Sequence, residues 1–319
     1  DSGNYAASLI GLYQSLKDLG EHAICPEALF KGGYDSLEIF CRMVDQIKKE
    51  DLQEAVETLQ SHCQNLKSDI TDAALTDSRQ MSLLEDYRDR ITEPMNILIK
   101  EILNSQKTIS KTILQDIRYW SEAIFQHIMN IQKQIDLLAP WMETWHSRPE
   151  VFDKGITDDL RATLQIWYQD KALQTKLSEL PRLCEDTIKD FKEVLSQDSL
   201  PFNVAEEHLA EIQKWMKGFI KDLKKSREQA EALSENIRSL MDKINFSIER
   251  MEFGFLFDPN REVFFLGYQV GSGRLDKNHY DLLASEARTA SLFAIAHNQV
   301  PRSHWLHMSR PFTLITNIP

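Results

Sequence analysis

The chain has 319 residues, 42% hydrophobic and 27% charged, and a formal net charge of -12. That acidic balance argues against a nucleic-acid backbone as ligand, because duplex binding normally needs a basic face that displaces counterions, and it is compatible with a neutral ligand. The longest apolar runs fall far short of the roughly 20 residues a bilayer requires, so no membrane span is expected.

Helical spacing dominates the first 250 residues. Tyr5, Leu9, Leu12, Tyr13, Leu16 and Leu19 share one face and the pattern stops at Gly20. After Cys25-Pro26, a second helix is predicted from about Asp35 through Leu37, Phe40, Val44 and Ile47. A third is predicted from near Asp51 through Val56, Leu59, Cys63 and Leu66. Between Asp77 and Leu138 the pattern is long. It is split at Pro94, where Thr92 can cap a new helix, with a single kinked helix as the alternative.

From Met95 the stripe Leu98, Ile102, Ile109, Ile113, Ile117, Ile124, Ile131 and Leu138 predicts one helix of about 60 Å. Pro140 ends it, and Trp141, Trp145 and Phe152 line a connector to Gly155. A helix is predicted from Asp158 through Leu177 and another from Pro181 through Leu195. The last long one runs from Val204 to Ile248. The spacing wanders between three and four without a strict heptad, which favours a packed antiparallel bundle over a coiled coil. Charged blocks such as Lys221 to Lys225 read as solvated helix faces. Cys25, Cys41, Cys63 and Cys184 are widely spaced and are expected to be free thiols. The start Asp1-Ser2-Gly3 carries no basic or apolar leader, so a signal peptide is expected to be absent or removed.

The last 69 positions, 251–319, read differently. Phe253, Phe255 and Phe257 alternate with Gly254 and Leu256, Asp258-Pro259-Asn260-Arg261 breaks the run, and Glu262 to Val270 resumes it. This predicts a β-hairpin. Gly271-Ser272-Gly273 ends the second strand, and Asp276 or Asn278 can cap a helix running to about His297. Its alanines, among them Ala287, Ala290 and Ala294, leave room for neighbouring helices to approach closely. The fold class expected is therefore mainly α: an elongated multi-helix bundle over 1–250, then a β-hairpin and the first helix of an α/α-barrel-like domain.

Three motifs in this region carry a resemblance. The hairpin Phe-Gly-Phe-Leu-Phe-Asp-Pro-Asn-Arg with the following Leu-Gly-Tyr, the helix Tyr280 to Arg288, and the segment Val300-Pro-Arg-Ser-His-Trp305 to Arg310-Pro311 together resemble bacterial cyclic β-1,2-glucan synthases. Met308-Ser309 departs from the Leu-Gly expected there. Members of that family combine a sugar-nucleotide glycosyltransferase, a glycoamylase-like region that closes linear β-1,2-glucan into rings, and a phosphorylase-like region. The resemblance implies the helical lead-in and the opening of the glycoamylase-like domain. It also implies a cytoplasmic portion of an inner-membrane enzyme, partnered by β-1,2-glucan and by the enzyme's other domains.

Candidate substrate-binding residues follow. Glu286 is flanked by apolar positions and needs a partner there, either lining a sugar subsite or anchoring a loop. Asp281, Ser285 and Arg288 share a face and form either a ladder for glucan hydroxyls or an intrahelical network. Tyr280 and Trp305 are candidate stacking platforms or rim packing, and Arg310 belongs to the third motif. A retaining glycan transferase uses two carboxylates about 5 Å apart; no such pair stands out in 251–319, and the resemblance places the catalytic glutamates later. No cofactor is expected. His304 and His307, or Asp276 and His279, lack a third ligand for a metal. An incomplete barrel is expected either to be poorly ordered or to complete its core against the bundle or a second copy, which leaves a homo-oligomer open. The alternative function is a helical protein-interaction module without carbohydrate activity.

Overall fold

The computed structural model describes residues 2–25, 27–44, 46, 53–71, 85–104, 111–169, 171–197, 206–280 and 285–308. The fold is mainly α. Thirteen α-helices are described: α1 (Ser2–Leu19), α2 (Glu27–Val44), α3 (Gln53–Thr71), α4 (Glu93–Asn104), α5 (Lys111–Leu138), α6 (Trp141–His146), α7 (Val151–Lys154), α8 (Asp158–Thr163), α9 (Gln165–Tyr168), α10 (Leu180–Leu195), α11 (Glu206–Glu249), α12 (Ser285–Ala296) and α13 (Ser303–His307). Among the described residues, no helix is long and apolar enough to cross a membrane. Backbone proximity divides the chain into two units, residues 20–234 and residues 1–19 with 235–319.

In the unit 20–234, α2 packs along α5 and against α3, which also contacts α4. Leu37, Phe40, Val44, Val56 and Leu59 are closed to solvent, as the helical spacing requires. Pro94 does not interrupt the helix. A π-helical turn, Tyr87–Thr92, leads directly into α4, and the widened turn makes room where proline lacks an N–H and crowds the carbonyl four residues back. The expected stripe from Met95 to Leu138 falls on two helices, α4 and α5, with 105–110 outside the described residues.

The predicted helix over 158–177 is replaced by short pieces. Thr157 caps α8, its hydroxyl accepting from Leu160 N at 3.4 Å. After α9 and a 3₁₀ turn at Ala172–Gln174 the chain pairs instead with residues 20–25: Ile24 N donates to Thr175 O (2.8 Å), Cys25 N to Leu173 O (3.1 Å) and Leu177 N to His22 O (3.1 Å). These distant hydrogen bonds take the groups a helix would have used, while Trp167, Leu173 and Leu177 still reach the core.

An aromatic cluster fills that core. Trp215 and Phe219 of α11 stack at 5.2 Å, and Trp145 and Trp167 surround them. The expected connector over 141–155 is in fact α6 and α7, which bring Trp141, Trp145 and Phe152 inward. Trp215 Nε1 donates to Thr144 O at 2.8 Å and Ser226 Oγ donates to Leu138 O at 2.5 Å, whereas the buried Trp141 Nε1 has no hydrogen-bond partner among the described residues. Burial pushes the Tyr168 hydroxyl up to about 12 and the Cys184 thiol up to about 11. Cys25, Cys41 and Cys184 form no disulfide among the described residues.

The other unit brings the first and last parts of the chain together. Helix α12 packs on α1, and Ala6, Ala290 and Ala294 are buried in their shared core. This is the close approach that the alanines of α12 predict. Ile244 and Ile248 of α11, Phe253, Phe264, Phe293 and Val300 complete it. Thr289 Oγ1 donates to Asn4 Oδ1 at 3.1 Å across the helix pair.

Candidate functional site

An open cleft lies in the unit formed by 1–19 and 235–319. Its geometry begins where α11 ends. Gln299 bridges the chain there: its Oε1 accepts from Phe253 N at 2.6 Å and its Nε2 donates to Met251 O at 2.7 Å. Gly254 passes so close that a Cβ there would sit 3.2 Å from Gln299 O. The aromatic run predicted as a strand over 253–257 therefore bends into a 3₁₀ turn, Gly254–Leu256.

The predicted hairpin forms, in shorter pieces. β1 (Phe257–Asp258) pairs antiparallel with β2 (Val263–Phe264), and Asp258 Oδ1 accepts from Asn260 N at 2.9 Å to fix the Asp-Pro-Asn-Arg turn. Glu262 to Val270 is not one strand. A second hairpin follows, β3 (Tyr268–Gln269) with β4 (Arg274–Leu275), and Gly271-Ser272-Gly273 forms its turn. Gly273 adopts φ +66°, which glycine tolerates without cost. Asp276 does not cap a helix: its Oδ1 accepts from Asn278 N at 3.0 Å, and Leu266 N and Tyr280 N donate to Asn278 O and Phe264 O. The segment 276–280 thus runs beside 264–267, and the described helix starts only at Ser285.

The cleft, about 280 Å³, lies between these turns and the start of α1. Phe255 and Tyr268 meet edge to face at 5.6 Å on one wall, and they are 54% and 45% exposed. Val270 stands at the lip, 85% exposed, and Tyr280 and Leu266 add further lining. Among the described residues no charged side chain lines it.

Of the residues singled out in sequence, Tyr280 lines the cleft. Trp305 is half-buried on α13, and Arg288 is exposed on α12. Asp281, Arg310 and the side chain of Glu286 lie outside the described residues, so the ladder with Ser285 has no described geometry. Phe255 and Tyr268 were read only as strand residues. No local pattern sets Phe255 at the cleft, because the turn that carries it is held by the distant Gln299.

A serine–histidine pair sits nearby in the core. Ser291 Oγ and His304 Nε2 are 2.7 Å apart, and His304 Nδ1 donates to Glu262 O at 2.9 Å, so Nε2 is the acceptor. Both residues are 0% exposed, which denies any substrate access to the hydroxyl. His279 Nε2 contacts Asp258 Oδ2 at 2.9 Å, and backbone and histidine hydrogen bonds hold that carboxyl below the usual range. His307 Nδ1 lies 2.8 Å from Glu262 Oε2. Among the described residues no three metal-ligating side chains converge.

Comparison with known proteins gives a partial likeness. Over 85 residues the chain is 44% identical to the cyclic beta-(1,2)-glucan synthase NdvB of Rhizobium meliloti (strain 1021). The matched stretch is 27% of this chain and 3% of that relative. The resemblance expected from the sequence motifs is therefore present at the level of aligned residues. No family model matches the chain.

Proposed function

We propose that this chain is a segment of an enzyme that makes and cyclises β-1,2-glucan, with a glycoamylase-like barrel beginning near Met251. The identity of 44% over 85 residues to a cyclic glucan synthase carries the reading. In it the helical unit positions neighbouring domains, the unit around the two hairpins contacts neutral glucan, and the reacting carboxylates belong to other parts of the enzyme. The parent enzyme lies in a bacterial inner membrane with this region on the cytoplasmic side. Among the described residues that line the cleft none is charged, which supports an uncharged ligand.

The test compares this chain with the longer enzyme. With a sugar nucleotide, membranes carrying the longer enzyme should form cyclic β-1,2-glucan, and a form lacking 251–308 should not. This chain alone should leave linear β-1,2-glucan unshortened and uncyclised. Cleavage or ring closure by the chain alone, or undiminished ring formation without 251–308, would defeat the proposal. A second reading, a helical module that binds proteins, draws on exposed Tyr119, Phe125 and Met129 of α5. Under it, deleting 251–308 has no effect on glucan chemistry.

A further inference from the structure

We infer that the cleft between the two hairpins and the start of α1 is a subsite for one glucosyl ring of a β-linked glucan, with Phe255 and Tyr268 as its stacking wall. The inference rests on the reading above and adds to it a place and a set of contacts. Three observations carry it.

The first is chemical. A hexose ring presents C–H groups on its faces and hydroxyls around its edge. A ligand of that kind is held by aromatic faces and a few neutral polar groups, and a charge buried without a partner would be costly. The cleft has that composition: Phe255 and Tyr268 offer ring surface, Ser2 and Tyr280 are polar members of the lining, and no charged side chain lines it among the described residues.

The second is exposure. Large apolar side chains clustered in the open mark binding surfaces more often than single exposed ones do. Phe255, Tyr268 and Val270 are exposed together around one concavity, while Phe253 and Phe264 beneath them are buried and form its floor.

The third is rigidity. A wall that is already in place loses little conformational freedom on binding. Phe255 lies in the turn held by the two Gln299 hydrogen bonds. Tyr268 lies in a hairpin closed by its pairing with Leu275, by Gly273 N donating to Gln269 O at 2.8 Å, and by the Ser272 hydroxyl on Gln269 Oε1 at 3.0 Å.

Titration calorimetry of this chain with short β-1,2-linked glucose oligomers tests the assignment. Phe255→Ala and Tyr268→Ala should each weaken binding about tenfold, and Tyr268→Phe much less, because ring area is what the sugar face meets. Leu306→Ala, 82% exposed and outside the cleft lining, should leave affinity unchanged. Both alanine positions are exposed, so circular dichroism and thermal unfolding should match the parent chain. Binding that survives both alanine variants would overturn the subsite and leave the glucan-synthase reading standing. So would self-association that the two variants abolish, since the wall would then be an interface between copies. No binding by the parent chain would also overturn the subsite, and the deletion test on the longer enzyme decides the broader reading separately.

Discussion

His304 Nε2 accepts a hydrogen bond from Ser291 Oγ at 2.7 Å, and neither residue reaches solvent. The pair joins α13 to α12, and the other ring nitrogen, donating to Glu262 O, joins both to the loop between β1 and β2. One neutral imidazole thus holds three elements in register.

Burial holds His304 below its ordinary value of 6.5. The unfolded chain takes up a proton as pH falls through that value and the folded chain resists it. The stability that depends on neutral His304 is therefore complete above 6.5 and is lost progressively as pH falls below it. Thermal unfolding at about pH 5.5 should occur at a lower temperature than at about pH 7.5. His304→Gln should flatten the dependence in that interval while itself costing about 1–3 kcal/mol through unmatched partners. An unchanged slope in the variant would show that other histidines set it.

Glu262 and Asn298 both have φ of 56°, but the same backbone angle weighs differently on them. Asparagine enters the left-handed region readily, whereas glutamate pays a penalty of about 1–2 kcal/mol there. Glu262→Gly should raise stability by up to about 1 kcal/mol, and Asn298→Gly should change it little; chemical denaturation measures both.

Phe219 is fully buried and stacks on Trp215 at an interplanar angle of 11°. Phe219→Ala removes the centre of the aromatic cluster and should cost about 3–5 kcal/mol. Urea denaturation followed by tryptophan fluorescence should show the midpoint falling, since the emitting Trp145, Trp167 and Trp215 surround the deleted ring.

Thiol labelling at about pH 8 should distinguish the described cysteines. Cys41 is half-buried and should react first, whereas Cys25 and Cys184 are 1% and 0% exposed. Cys184 is further slowed because its raised pKa keeps it a thiol. Peptide mass spectrometry should find both modified only after unfolding; rapid native labelling of Cys184 would contradict its burial.

The helices were legible because their apolar residues recur at helical spacing. Phe40, Val44, Val56 and Leu59 are buried where that spacing put them. The turn at Asp258-Pro259-Asn260-Arg261 was legible as well, since aspartate fixes it through its own neighbour. Two features escaped for the same reason. The segment 171–177 has helical spacing, yet hydrogen bonds to residues 20–25 remake it, and no local pattern announces a partner some 150 positions away. Phe255 likewise alternates as a strand would, and only the Gln299 bridge turns the backbone and sets its ring at the cleft. Tyr280, singled out at the head of a local helix motif, lines the cleft. The placement of Phe255 at the cleft rests on tertiary contacts.

The pairing of α1 with α12 has a consequence during synthesis. Asn4 leaves the ribosome about 285 codons before its partner Thr289, which at 5–20 residues per second is roughly 15 to 60 s. Throughout that interval the apolar stripe of α1 has no native seat. A chaperone that shelters it would speed maturation, and a nascent-chain pulse with and without such shelter would reveal the wait.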